Sequence, residues 1–455
     1  MTDTIDPPSK GRDGHAESVL NRLLYGGRTL RVSFFPLLLC RKAAASGFFS
    51  TSSVMNGIFL VGPMHSAVIS GQILVWARER ANLAPEVVSS KAKVNLDKLF
   101  SWESGKGYPS FKQAQKLASV LRIPFGYFFL SQPPKETIPL PDLRQIKPMG
   151  DGDFSADFLE VVGDALRKQQ WYKEYLTEEG SKPLEFIAKY RSNTNPEFIA
   201  SEIRTIFGID NSLRSVATSW TDFFRRLISV LESKGITVQR SGIVGSNTRR
   251  ALSVDEFRGF AISDNVAPLI FINGRDFKAA QIFTLAHELA HLLIGESGIS
   301  NSSVDTTINR LSNAGIEQLC NEIAAEVLVP KDEILSSWKR QDAPGNNVDR
   351  LVRHFRVSTI VILRRALDLG LISKKIFIEE INLAWDRIRK AEDNSSESGG
   401  GDFYKTFYAR NGRELSHSII SAAIGGRILY LDAANYLGVK VKTISNIAKD
   451  LGMVH

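Results

Sequence analysis

Thr284-Leu-Ala-His287-Glu288-Leu-Ala-His291-Leu-Leu293 sets two histidines four residues apart in an apolar segment, with a glutamate directly after the first. On a helix, positions four apart share a face. Two imidazoles on one face can grip a single Zn²⁺, and Glu288 can then act as general base on a water. The flanking Leu285, Ala286, Leu289, Ala290, Leu292 and Leu293 predict a largely buried helix. Two histidines and a glutamate there need partners, because unpaired buried polar groups are costly. A metal satisfies all three at once; the competing reading is a pair of ordinary helix histidines.

A catalytic zinc takes three protein ligands and leaves one position for water. The next histidine is His354, and the extended His-x-x-Gly-x-x-His pattern is absent. The better source is a predicted helix from Asn313 to Leu328, with Ile316, Leu319-Cys320, Ile323 and Val327 as its core stripe. Glu317, Asn321 and Ala324-Ala325 form the neighbouring stripe. Glu317 is the favoured third ligand, a glutamate from a following helix being the gluzincin arrangement, and Glu326 is next. Glu322 and Glu326 are expected on solvated faces.

Upstream, Ile236-Thr-Val238, Gly259-Phe-Ala-Ile262 and Pro268-Leu-Ile-Phe-Ile272 read as strands, and Asn273-Gly274 as a turn. A strong helix from Lys278 to Ile294 is stopped by Gly295. This is an α+β module whose sheet buttresses the metal-bearing helix. Residues 154–235 read as helices, with no chemistry of their own.

At 455 residues the chain suggests two to four domains. Its net charge of +8 is a modest hint of an anionic partner. Cys40 and Cys320 are the two cysteines, so no disulfide framework is implied and a reducing cytoplasm fits. No apolar run approaches the ~20 residues that span a bilayer. Residues 1–64 lack recognisable pattern and are read as a poorly ordered extension, upstream of a native start at Met55 or Met64 rather than a targeting peptide.

Residues 70–130 give short helices with tight turns. Ile73, Leu74, Ala77 and Ala81 line one face. Leu96, Leu99 and Phe100 are expected inward on the next-but-one helix, and Ser110 with Gln113 forms a capping box before Ala114, Leu117, Ala118 and Leu121. Leu74-x-Trp76-Ala77-Arg78-x-Arg80-Ala81-x-Leu83, Trp102-Glu103-Ser-Gly105-Lys-x-x-Pro109-Ser-x-x-Gln113 and Ile123-Pro124-x-x-Tyr127-Phe128-Phe129 resemble the phage-repressor (XRE-like) helix-turn-helix family. The stretch departs from that family at Lys93, where glycine is usual, and at Ser89, where a small apolar residue is usual. The resemblance implies DNA binding, with Asn95, Asp97 and Lys98 offered to a groove.

His287-Glu-Leu-Ala-His291-Leu-Leu, followed by Glu317-x-x-Cys-Asn321-Glu-Ile-Ala-Ala325-Glu-Val-Leu-Val-Pro330, resembles the ImmA/IrrE family of metallopeptidases. Arg258-Gly259-Phe260, Ile270-Phe-Ile-Asn273 and Leu351-x-x-x-Phe355-x-Val357-Ser358 extend the likeness. Gly400-Gly-Asp-Phe-Tyr404 to Leu437-Gly-Val is similar to the C-terminal part of long members. The resemblance implies cleavage of a transcriptional repressor, with His287, His291 and Glu317 as ligands and Glu288 as base. Leu431 to Asn446 also has the rhythm of a second helix-turn-helix, whose Lys440, Lys442, Thr443 and Asn446 could reach phosphates or bases; a small helical cap docking on the peptidase is the competing reading, and no DNA-binding site is assigned there.

The expected architecture is multidomain and mainly α: a 1–64 extension, an all-α helix-turn-helix domain at 65–130, a Pro-rich linker at 131–150 and a helical spacer at 151–235. An α+β zincin-like (gluzincin) peptidase follows at 236–390, then a flexible linker at 391–402 and a small helical C-terminal region at 403–455. The expected function is a cytoplasmic, DNA-associated zinc metallo-endopeptidase acting on a repressor protein, without membrane contact; a homodimer stays open. The alternative is a DNA-binding regulator whose peptidase-like domain is a sensor with little turnover. A third reading is an antitoxin-like partner protein.

Overall fold

A computed structural model describes residues 66–134, 154–300, 314–393 and 402–451. The 1–64 extension lies outside these residues, as do most of the 131–150 and 391–402 linkers. The described chain is mainly helical with one four-stranded sheet. It divides into two compact units, Met1–Glu136 and Thr137–His455. Among the described residues no helix is long and apolar enough to cross a membrane.

The first unit comprises α1 (Gly71–Arg80), α2 (Pro85–Ala92), α3 (Leu96–Glu103), α4 (Phe111–Leu121) and a 3-10 turn at Phe125–Phe129. Each α-helix starts where local chemistry dictates. Ser70 and Asn95 accept from the backbone N–H groups of Ile73 and Asp97, and Pro85 occupies a first turn. Ser110 and Gln113 bond reciprocally in a capping box. The inward residues of α1 and α4 are buried as their spacing predicts. Phe100 is not: it is 45% exposed, and Trp102 is buried in its stead. The buried row of α3 runs Leu99–Trp102, an i,i+3 step, and the larger indole fills it.

Lys93, after α2, adopts left-handed backbone (φ 57) and stands where the phage-repressor family usually has glycine. The Ser89 hydroxyl donates to the Val94 carbonyl at 2.7 Å, and the Val94 N–H returns to the Ser89 carbonyl. Both departures from that family thus serve one tight turn. A non-glycine residue is strained there, so Lys93→Gly is expected to stabilise the first unit by roughly 0.5–1 kcal/mol. Urea unfolding followed by tryptophan fluorescence checks this; a loss of stability would mean that the Lys93 side chain contributes more than its backbone costs.

The second unit opens with α5 (Ala156–Glu178), α6 (Pro196–Phe207), α7 (Asn211–Ser215) and α8 (Trp220–Ser233). Next come β1 (Thr237–Ser241), β2 (Gly259–Ile262), β3 (Leu269–Asn273), α9 (Lys278–Ile294), β4 (Gly298–Ser300) and α10 (Ala314–Leu328). It closes with α11 (Lys331–Ser337), α12 (Pro344–Phe355), α13 (Thr359–Asp368), α14 (Lys374–Asp393), α15 (Phe403–Asn411), α16 (Arg413–Ile424), α17 (Tyr430–Leu437) and α18 (Val441–Asp450). The strand order is β1-β3-β2-β4, with β1 parallel to β3 and β2 antiparallel to both its neighbours. β4 is not legible in the sequence, because its three residues Gly298-Ile-Ser300 are too few to show an alternating pattern.

Both faces of the sheet are covered. Phe260, Ile262, Leu269, Phe271 and Ile299 pack with Phe158, Val161, Val162 and Ala165 of α5. Val238, Ala261, Ile270 and Ile272 point the other way, into the core shared with α9, α6, α8 and α10. Two buried faces explain why β2 and β3 read as continuous apolar runs.

The C-terminal helices pack on α5 and along β1. Asn411, fully buried, links them: its Oδ1 accepts from Lys168 Nζ at 2.8 Å, its carbonyl from Gln239 Nε2, and its amide donates to the Leu437 carbonyl. Beside this seam Glu232 accepts the Arg413 backbone N–H at 2.9 Å. Burial, reinforced by nearby Glu414 against the Arg413 contacts, pushes its carboxyl up to about 7. The stability this residue lends is full at acidic pH, below its unfolded value, and is lost as pH rises through about 7. The thermal midpoint of the second unit should therefore fall between about pH 4.5 and 7, by the equivalent of up to about 3 kcal/mol from this residue. Glu232→Gln keeps the acceptor and should flatten that part of the profile; an unchanged profile would remove Glu232 as its source.

One turn recurs. A left-handed residue, then Val or Ile, then a capping position follows α2 (Lys93-Val94-Asn95), α4 (Arg122-Ile123-Pro124), α6 (Gly208-Ile209-Asp210), α12 (Arg356-Val357-Ser358) and α17 (Gly438-Val439-Lys440). At Val94, Ile123, Ile209 and Val439 the branched residue's N–H returns to the preceding helix. The apolar side chain seals the helix end while the left-handed residue reverses the chain.

Candidate metal centre

The turn from β3 into α9 sets where the histidines stand. Asn273, fully buried, donates through Nδ2 to the carbonyls of Ser253 and Phe257. Gln281, also fully buried, donates to the carbonyls of Gly274 and Asp276. Arg258 pairs with Asp276 at 2.7 Å. The start of α9 is thereby pinned to the ends of β2 and β3, and Gly295 (φ 87) ends the helix.

On α9, His287, Glu288 and His291 are each 0% exposed, and Glu317 on α10 is 1% exposed. The two imidazole Nε2 atoms lie 3.0 Å apart. Glu317 Oε1 is 3.0 Å from His291 Nε2, and its Oε2 is 3.4 Å from His287 Nε2. Among the described residues this is the one group of three His, Cys, Asp or Glu side chains able to hold a metal ion. Four-coordinate zinc with bonds of about 2.0–2.2 Å separates its ligand atoms by roughly 3.3–3.6 Å. Two nitrogens and a carboxylate at 3.0–3.4 Å need only a slight opening to meet that spacing. Each ring's Nδ1 is buried without a hydrogen-bond partner among the described residues, so both rings rely on the Nε2 side for polar contact.

Burial alone would raise the Glu317 carboxyl, but the two imidazoles outweigh it and hold the group down at about 2. An ionised carboxylate facing two imidazoles is the donor set of a divalent cation site. Cys320, one turn further along α10, is fully buried; burial and the charges of Glu317, Glu288 and Glu296 push its thiol up. It remains a neutral packing residue rather than a thiolate ligand.

The far end of α10 is held by cations. Arg204 donates to the Glu326 carbonyl at 2.7 Å, Arg214 to the Leu328 carbonyl at 3.2 Å, and Arg365 to the Val329 carbonyl at 3.2 Å. These carbonyls have no partners within the helix, and three guanidinium groups supply them. Glu326 lies among these arginines. It is 6% exposed, pairs with Arg365 and accepts the Lys331 N–H at 3.1 Å. The expectation of a solvated Glu326 is thus corrected, and the structure places it in this cap rather than with the histidines. Its arginine partners come from α6 and α13, far away in sequence.

Gly259 on β2 is a site residue that spacing did not single out. A Cβ there would stand 2.7 Å from Thr284 Cγ2, 2.8 Å from Glu288 Oε1 and 3.0 Å from the Phe271 carbonyl. The strand backbone therefore packs directly against the Glu288 carboxylate. A glycine inside an otherwise apolar strand is the signal that could have revealed this close approach.

Residues 231–367 match the family model described as the IrrE N-terminal-like domain, Peptidase_M78. The chain carries a peptidase M78 domain. The matched segment spans the sheet, α9 and α10, hence all four side chains of the cluster. No curated protein matches the chain. Among solved structures, the complex of Bacillus thuringiensis PlcR with the peptide PapR7 and DNA is similar at 14% identity. That likeness covers 85% of this chain and 96% of that one, with a TM-score of 0.13.

The first unit presents Asn95, Asp97 and Lys98 to solvent. The Asn95 Oδ1 already accepts the Asp97 N–H at 2.7 Å, which leaves its amide nitrogen to face outward. These three residues belong to a different compact unit from the M78 domain.

Proposed function

We propose that the chain is a DNA-associated regulatory zinc metallo-endopeptidase, acting on a peptide bond of a transcriptional regulator. The observation that carries this reading is the convergence of His287, His291 and Glu317 beside Glu288 within an M78 domain. Two imidazoles and a carboxylate suit zinc. A metal held there supplies Lewis acidity toward a water and the substrate carbonyl.

The protein's own part is positional and acid–base. Glu288, buried against β2, receives a proton from the attacking water at its carboxylate and returns it to the leaving amine. His287 and His291 would hold the ion through Nε2, and Glu317 would balance its charge. DNA contact runs through α3, where Asn95, Asp97 and Lys98 are exposed.

A second reading has one observation in its favour. All four side chains are at most 1% exposed, as in a site that responds to metal rather than turning over protein. In that reading the chain is a DNA-binding regulator whose M78 domain is a sensor. Incubating the wild-type chain and Glu288→Gln with candidate repressors, alongside metal analysis, separates the two. Cleavage by the wild type alone supports the peptidase. DNA binding that changes with metal, without cleavage, supports the sensor.

A further inference from the structure

The turn shared by α2–α3 and α17–α18 has a consequence for the C-terminal region. In both pairs a left-handed residue (Lys93, φ 57; Gly438, φ 64) is followed by Val and a cap, and the second helix begins at the next residue. The same turn elsewhere leads into elements that are not free or not long. After Arg356 comes α13, whose Ile360, Val361, Ile362, Leu363 and Ala366 are buried, and after Gly208 comes the five-residue α7. After Arg122 comes a 3-10 turn. Both α3 and α18, by contrast, are helices of eight or more residues with an exposed polar face.

On α18, Ile444, Ile447 and Ala448 are at most 1% exposed and pack against the neighbouring helices. At about 100° per residue, Lys442, Ser445, Asn446 and Lys449 gather on the opposite side. Lys442, Asn446 and Lys449 are exposed, and Lys440 is exposed at the cap. None of these lysines has a carboxylate partner among the described residues. The single acidic residue of α18 is Asp450, at its last position. The α3 face, by comparison, mixes Lys98 with Asp97 and Phe100.

The turn is also rigidly seated. Ser246 Oγ donates to the Gly438 carbonyl at 2.8 Å and accepts from Arg410 Nη1 at 2.6 Å, while Asn411 caps α17 through the Leu437 carbonyl. Arg410 thereby stands beside the turn, and exposed Arg249 lies three residues beyond Ser246.

We infer that α17 and α18 form a second contact surface for duplex DNA, with α18 as the helix presented to the major groove. Lys442 and Asn446, in its first two turns, supply the side-chain types that bond guanine and adenine edges. Val441, 41% exposed at its first position, suits a thymine methyl. Lys440, Lys449 and Arg249 meet phosphates. The inference rests on neither the metal cluster nor α3.

The test uses the full chain and a fluorescein-labelled mixed-sequence duplex of about 30 base pairs, titrated by anisotropy across a range of NaCl concentrations. Each lost phosphate contact lowers the slope of log K against log salt by about 0.9. Lys440→Gln/Lys442→Gln/Lys449→Gln, which removes the phosphate contacts of Lys440 and Lys449, should therefore reduce the slope by roughly 2 and weaken binding on the order of tenfold or more near 100 mM salt. Asn446→Ala should leave the slope unchanged while flattening preference among duplexes of different sequence. Lys98→Gln, in the first unit, reports on α3 alone, so failure there and failure here are separate readouts. The proposal is overturned if the triple variant keeps the wild-type slope and affinity with an unaltered circular dichroism spectrum. It is overturned equally if the wild type does not bind the duplex, or if phosphatidylserine vesicles bind it in preference.

Discussion

Glu288→Gln is expected to lower peptide-bond hydrolysis by about 10²–10⁴-fold while leaving the metal content of the purified protein unchanged. Glutamine keeps the size and hydrogen-bonding reach of the side chain but cannot take up a proton at neutral pH. The proposed metal donors lie elsewhere: His287 and His291 face Glu317, and all three side chains persist in the variant. Elemental analysis and cleavage of a candidate repressor, run on the same preparations, make the comparison. A variant that cleaves at the wild-type rate would remove Glu288 from the chemistry. A wild-type protein that binds no metal would sink the ligand assignment itself. Protein that holds metal and cleaves nothing would leave the sensor reading standing.

Gly259→Ala should damage the same site from the sheet side. The added methyl would stand 2.7 Å from Thr284 Cγ2 and 2.8 Å from Glu288 Oε1, with the Phe271 carbonyl at 3.0 Å behind it. A methyl carbon does not fit at those distances, so α9 or the Glu288 side chain must shift. Overpacking of this kind costs about 1–3 kcal/mol. Where Glu288 moves by even a fraction of an ångström, its alignment with a water is lost, and turnover falls beyond what stability explains. Adding Thr284→Ser removes Cγ2 and should recover part of the stability. It leaves the contact with Glu288 in place, so turnover stays low. Urea unfolding and cleavage assays on the single and double variants separate the two effects. Wild-type stability and turnover in Gly259→Ala would mean that the strand and helix have room to spare.

Local chemistry is why so much was readable. The i,i+4 histidines, the Gly295 stop, the Ser110–Gln113 box and the apolar rows of α1 and α4 depend on neighbours within a few residues. Helical periodicity encodes them directly. Phe100 misled because Leu96, Leu99 and Phe100 fit a helix face as well as Leu99 and Trp102 do. Only the fit of the indole into the core decides between the two rows. The short β4 carried no pattern to read. Glu326 misled for another reason: its partners Arg204 and Arg365 come from other helices, and charge on a sequence says nothing about who lies opposite.

By itself the sequence determined that α9 carries two histidines and a glutamate on a buried helix, and that α10 offers Glu317 on a stripe of small residues. Both follow from periodicity and from the cost of leaving polar groups unpaired in a core. The tertiary structure decided that Glu317 closes on the two imidazoles at 3.0 and 3.4 Å while Glu326 turns to arginines. It also decided that Gly259 backs Glu288 and that α18 leaves its lysines exposed. These depend on where separate elements meet, which is set by the sum of many weak packing contacts rather than by any local rule.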